Sequence, residues 1–203
     1  MKRQFDVLKG CFLMITACAV ASGCGGSQPS RFYLIHSVAA GEILPGQTAC
    51  RPDLSLGIGP VSLPEYLDRP QIITRTGRNE LVLAEFDRWA EPLSDSFTRV
   101  LAENLSRMLG TDRVFIYPWP RTTQVDCQVA VEVNHFEGFP GGRAQLSAWW
   151  TIYGDNEKTI LMRKQSEIAE PVGSGSPEDL VAAQSRVLAA FSREIALAIK
   201  DHR

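Results

Sequence analysis

The cysteines are the first residues whose chemistry the sequence frames. Cys24 closes the run Ala21-Ser22-Gly23-Cys24. Ahead of it lie a short basic start (Lys2, Arg3, Lys9) and an apolar run from Gly10 to Gly23. Crossing a bilayer takes about 20 apolar residues, so this run has the layout of a secretory signal rather than a membrane span. Small residues fit a narrow peptidase cleft, and the thiol after them is the group that receives diacylglycerol. The sequence therefore predicts a lipoprotein signal over residues 1–23, a lipidated Cys24 heading a flexible tether over 24–30, and one domain over 31–203. Ile15-Thr16-Ala17-Cys18 is a second such site. Its use would shorten the apolar run and leave Ala-Val-Ala on the mature side, so Cys24 is preferred to Cys18. The plainer alternative is an ordinary secretory signal with an incidental cysteine.

Cys50 and Cys127 remain in the mature chain, in a compartment that permits disulfides. A bridge between them would close a long loop and contribute about 4 kcal/mol; two buried thiols are the alternative. The three histidines, His36, His135 and His202, are scattered and none sits at metal-ligand spacing. His135 is in phase with Val131 and Val133, which predicts a satisfied histidine at the sheet surface or core. Gly57-Ile58-Gly59 lacks the third glycine of a dinucleotide loop, and no Gly-x-Ser-x-Gly elbow occurs. The expectation is a protein without catalytic residues, metal or cofactor.

Binding is the remaining chemistry. Between Arg143 and Tyr153, Ala144, Leu146, Ala148, Trp150 and Ile152 alternate with Gln145, Ser147, Trp149, Thr151 and Tyr153. Trp149 and Tyr153 on an otherwise polar face read as an interaction surface or as core beneath a helix. Leu63 to Pro70 mixes prolines, charge and an aromatic, which makes Tyr66, Asp68 and Arg69 candidates for contact or for a structural connection. Trp89, within Phe86-Asp87-Arg88-Trp89-Ala90-Glu91, reads first as a packed side chain beside a helix start.

These residues need elements to hold them. Strands are predicted at Phe32–Ile35, Leu54–Val61, Gln71–Arg75, Glu80–Phe86, Arg113–Tyr117, Val125–Phe136, Arg143–Tyr153 and Lys158–Ile168. Thr76-Gly77-Arg78-Asn79 is a hairpin loop, and the Ser55, Gly57, Gly59 face admits another element closely. A helix over Pro92–Leu109 carries a stripe of Leu93, Phe97, Val100, Leu101, Asn104, Leu105 and Met108, with Gly110 as its stop. A last helix starts at Ser176, with Pro177 in its first position and Asp179 closing a capping box. The expected fold is a single α/β (α+β) domain, a mixed sheet of six to eight strands with two main helices packed on it.

Charge narrows the partners. The whole chain carries −2, and removing residues 1–23, with Lys2, Arg3 and Lys9 against Asp6, leaves −4. That balance argues against nucleic acid and against electrostatic attraction to anionic lipid. Membrane attachment is expected through the acyl chains, which hold firmly when two or more are present. The tether reaches about 20 Å when fully extended, so the domain is expected close to the bilayer.

Two stretches carry a resemblance. Gly59 to Arg75, GPVSLPEYLDRPQIITR, and Leu83 to Leu105, LAEFDRWAEPLSDSFTRVLAENL, resemble the signature segments of the ABC-type transport auxiliary lipoproteins of the PqiC type. Phe32-Tyr33-Leu34, the Val125 to Glu137 strand and the closing helix fit as well. The resemblance implies an anticodon-binding-like, TolB N-terminal-like fold and a periplasm-facing lipoprotein. It also implies partnership with MCE-domain (PqiB-type) proteins in envelope lipid transport and membrane integrity. Gly25, where some lipoproteins have Asp, favours the outer membrane. A homo-oligomer in the form of a ring would match a symmetric conduit. A lipid-carrying module and an envelope hydrolase are the rival readings.

Overall fold

The computed structural model describes residues 28–39, 52–154 and 159–201. Cys24, Cys50, the signal, most of the tether and His202 lie outside them. Alternation and helical stripes generate eight strands and two helices among the described residues. In chain order these are β1 (Arg31–Tyr33), β2 (Leu56–Ser62), β3 (Gln71–Arg75), β4 (Leu81–Trp89), α1 (Leu93–Leu109), β5 (Val114–Ile116), β6 (Cys127–Gly138), β7 (Arg143–Gly154), β8 (Thr159–Pro171) and α2 (Pro177–Asp201). The expected single α+β domain with a mixed sheet and two main helices is what the chain forms. Where boundaries move they do so by one to three residues, the largest shifts being the three residues added at the C-terminal ends of β4 and β8.

β6 is the axis of the sheet. Along one flank it pairs antiparallel with β7, which pairs antiparallel with β8. Along the other flank lie β2 and then β3, end to end and both parallel to β6. β2 also pairs with β5, and β3 carries the hairpin partner β4, which pairs with β1. The excursion from Leu63 to Pro70 is the chain left over between β2 and β3.

Both helices cover one face of this sheet. α1 lies over β2 and β5, and α2 over β6, β7 and β8. Every residue of the expected α1 stripe is buried, as are Leu180, Val187, Phe191, Ile195 and Ile199 of α2. Phe97 meets Phe136 edge-on with centroids 5.2 Å apart and Phe191 at 6.4 Å. Burying each such ring contributes about 1.5–3 kcal/mol. Asn104 is the polar member of the α1 stripe. Its Oδ1 accepts from Val38 N at 2.9 Å and its Nδ2 donates to Ser192 Oγ at 3.1 Å, so the loop after β1 is tied to both helices.

Helix ends follow local chemistry. Gly110 sits at φ 67° and ψ 37°, and its N–H donates to Ser106 O at 2.8 Å. At the start of α2, Asp179 N donates to Ser176 Oγ at 3.1 Å, the expected cap. The Asp179 carboxylate reaches further back than a capping box requires and accepts from Ser174 N at 2.7 Å. Bonds from the Ser174 hydroxyl and backbone hold this carboxyl below its usual range. The small face of β2 is occupied as expected: a Cβ on Gly57 would lie 2.6 Å from Trp119 Cη2.

Candidate functional site

The sheet face turned away from the helices collects the polar members of β6, β7 and β8. Glu132, Trp149 and Gln165 stand in line across the three strands, as do His135, Ser147 and Glu167. Trp149 is 37 % exposed. The Arg163 guanidinium lies 5.3 Å from its ring centroid and 3.6 Å from Glu132 Oε2. Tyr153 is half-buried further along the same face, opposite Ile160. The helices do not cover Trp149 or Tyr153, so neither ring is core beneath a helix.

A β-bulge reorganises the other end of that face. The register of β6 against β7 shifts between Val133 and His135. An extra residue inverts which side each later residue faces. His135 therefore leaves the core phase of Val131 and Val133 and takes the sheet surface, one of the two places expected for a satisfied histidine; its side chain is 53 % exposed. Phe136 takes the core side and Glu137 the open side, opposite Gln145. The Glu137 side chain is only 5 % exposed. It is compensated: Oε1 accepts from Arg75 Nη2 at 2.6 Å and Nε at 3.0 Å, while Oε2 accepts from Phe136 N at 2.9 Å. Tyr66 completes the cluster, donating from its hydroxyl to Glu137 Oε2 at 3.0 Å, with His135 Nδ1 at 3.3 Å. Burial first, and the Glu137 charge second, push the Tyr66 phenol well above its ordinary range. The bond to Glu137 raises Arg75. Tyr66 thus clamps the excursion onto the open face. Beside His135 of this cluster, across β7 and β8, runs a groove of about 790 Å³, lined mostly by polar side chains including Gln145, Ser147, Gln165 and Glu167.

Asp68, Arg69 and Trp89 lie elsewhere. They meet in a smaller groove of about 370 Å³ where the excursion crosses the β4–α1 joint. Trp89 is buried there, and its N–H donates to Pro70 O at 2.7 Å. Ser94 Oγ donates to Asp68 Oδ1 at 3.1 Å beside the first turn of α1. Arg99 on the next turn donates to Glu91 Oε1 at 2.6 Å and to Glu103 Oε1 at 3.1 Å. The bond from Arg99 holds the Glu91 carboxyl below its usual range. Buried Leu67 pins the excursion between the two grooves. Sequence reasoning named Tyr66, Asp68 and Arg69 but not Arg75 or Glu137. A carboxylate in phase with Val129, Val131 and Val133 was the available signal, because it demands either a buried partner or a break in phase.

Among the described residues no group of three or more His, Cys, Asp or Glu side chains could hold a metal ion. No helix there is long and apolar enough to cross a membrane. Cys127 is buried at the start of β6, beside Leu56 of β2.

What fold and grooves define is an α+β domain with one face committed to its core and the other open for contact. The chain belongs to the ABC-type transport auxiliary lipoprotein component family, whose profile matches residues 33–196. Two solved structures are similar. One, from Xanthomonas campestris and of family DUF330, is 17 % identical, covers 85 % of this chain and 97 % of its own, and gives a TM-score of 0.70. Another, described only as an uncharacterized protein, is 19 % identical, covers 85 % and 99 %, and gives 0.68. At these identities the likeness shows the fold alone. No curated protein matches significantly.

Proposed function

We propose that the chain is a lipid-anchored auxiliary subunit of an envelope lipid transporter. Cys24 holds it at the outer membrane, facing the periplasm. Its open sheet face docks the end of a conduit formed by an MCE-domain, PqiB-type protein, and the complex serves membrane integrity. The observation that carries this reading is membership of the transport auxiliary family over residues 33–196, which starts nine residues after Cys24. The open, polar-lined groove beside His135 suits protein docking better than carriage of a lipid, which needs an enclosed apolar pocket. The test is purification of the full chain from intact envelopes. An MCE-type protein is expected to accompany it, Trp149→Ala to lose that protein, and Cys24→Ala to be released into the soluble periplasm. Recovery without any MCE-type protein, or membrane retention of Cys24→Ala, overturns the corresponding part. A Cys50–Cys127 bridge is proposed as well, and a linked peptide pair under non-reducing digestion is its signature.

A further inference from the structure

β8 is the longest strand of the sheet, and among the described residues it pairs only with β7. Its outer flank offers backbone N–H and C=O groups as a template for another strand, except toward its end, where Ala169 O accepts from Arg143 Nη2 at 3.1 Å and Pro171 O from Arg186 Nη2 at 2.7 Å. Natural edges are often blunted by charged side chains. Here the two basic residues are drawn back over the molecule: Arg163 onto Trp149 and Glu132, Lys164 onto Glu194 with Nζ to Oε1 at 2.5 Å. Pro171 lies only at the strand's end. The terminal strands β1 and β5 have three residues each, so neither matches the thirteen of β8. Among the described residues the only edge of equal length is β8 itself.

Its sequence is self-complementary. Set β8 antiparallel to β8 of a second copy with Gln165 on the two-fold axis. Arg163 then faces Glu167 of the second copy on the open side, and Met162 faces Ile168 on the helix side. Directly opposed residues share a face, and opposite charges there stabilise while like charges destabilise. Moving the axis to Lys164 sets that lysine against itself. Moving it to Ser166 loses the Arg163–Glu167 pair and sets Lys164 against Ile168 and Met162 against Glu170, whereas the Gln165 register brings an apolar residue against a charge only at its end, Ile160 against Glu170. The Arg163–Glu132 contact does not prevent exchange, since both side chains are about half exposed and such pairs are weak. We propose that β8 pairs with β8 of a second copy in the Gln165-centred register, joining two sheets into one.

Disulfide trapping in intact envelopes tests this with the full chain. Cα atoms across an antiparallel pair are about 4.5–5.5 Å apart, within bridging distance. Gln165→Cys is expected to give a linked homodimer on non-reducing gels. Ile160→Cys, about 34 Å from its counterpart, is expected to give none. In the Gln165→Cys chain, Arg163→Glu should cut the yield at least fivefold, and Arg163→Glu with Glu167→Arg should restore it. No dimer from Gln165→Cys, equal dimer from Ile160→Cys, an unchanged yield with Arg163→Glu, or linkage to a different polypeptide overturns the proposal.

Discussion

Trp149 and Trp150 are neighbours in the chain and belong to different worlds. Trp150 is 1 % exposed on the helix side of β7, with Nε1 donating to Ser166 Oγ at 2.8 Å. Trp149 is 37 % exposed on the other side, with only Arg163 across its ring. The two faces of the sheet divide along the same line. One holds Ala144, Leu146, Ala148, Trp150 and Ile152 beneath α2, all buried. The other holds polar side chains, an open groove and the Tyr66–Glu137–Arg75 cluster. An alternating strand can therefore devote one set of residues to stability and release the other for contact.

Four substitutions break or sharpen that division. Trp150→Ala removes a fully buried ring and should cost about 3–5 kcal/mol in denaturant unfolding; a cost near 1 kcal/mol would erase the distinction between the faces. Glu137→Gln tests a charge buried on the open face. Withdrawing the charge leaves Arg75 without its carboxylate, and a loss of about 3 kcal/mol is expected in the same assay. Trp149→Ala should cost only about 1 kcal/mol, since a partly exposed cation–π contact and part of a ring are lost. Its effect should instead appear in co-purification of the partner. Glu91→Gln is the smallest. Arg99 lowers the Glu91 pKa in the folded state, so the stability from that bond is present above the unfolded carboxyl's ordinary value and is lost as pH falls through the lowered one. Unfolding curves between pH 6 and pH 3 should show the variant's acid-side slope flatter by a few tenths of a kcal/mol, because the pair is about a third exposed.

The covered face was legible in the sequence because burial writes a period. Val129, Val131 and Val133, the α1 stripe and the α2 stripe each repeat at the spacing their element imposes. Gly110 and Ser176 marked helix limits through chemistry local to them. The open face was legible only in part. Trp149 stood out as an aromatic among polar residues, but whether a helix would cover it depended on packing far along the chain. His135 was expected at the sheet surface or core, and a single inserted residue at the bulge decides for the surface; nothing in Val133-Asn134-His135 announces it. The Tyr66–Glu137 bond joins positions 71 residues apart, and no local pattern encodes such a pairing.

The end-to-end placement of β2 and β3 beside β6 has a consequence for descent. From Ser62 to Thr74 the chain takes twelve steps while β6 takes six, from Glu132 to Gly138. The surplus acts as an expansion joint: lineages can lengthen or trim it while both strands keep their seats. Asp68 and Arg69, on that surplus, can change while the architecture stays still.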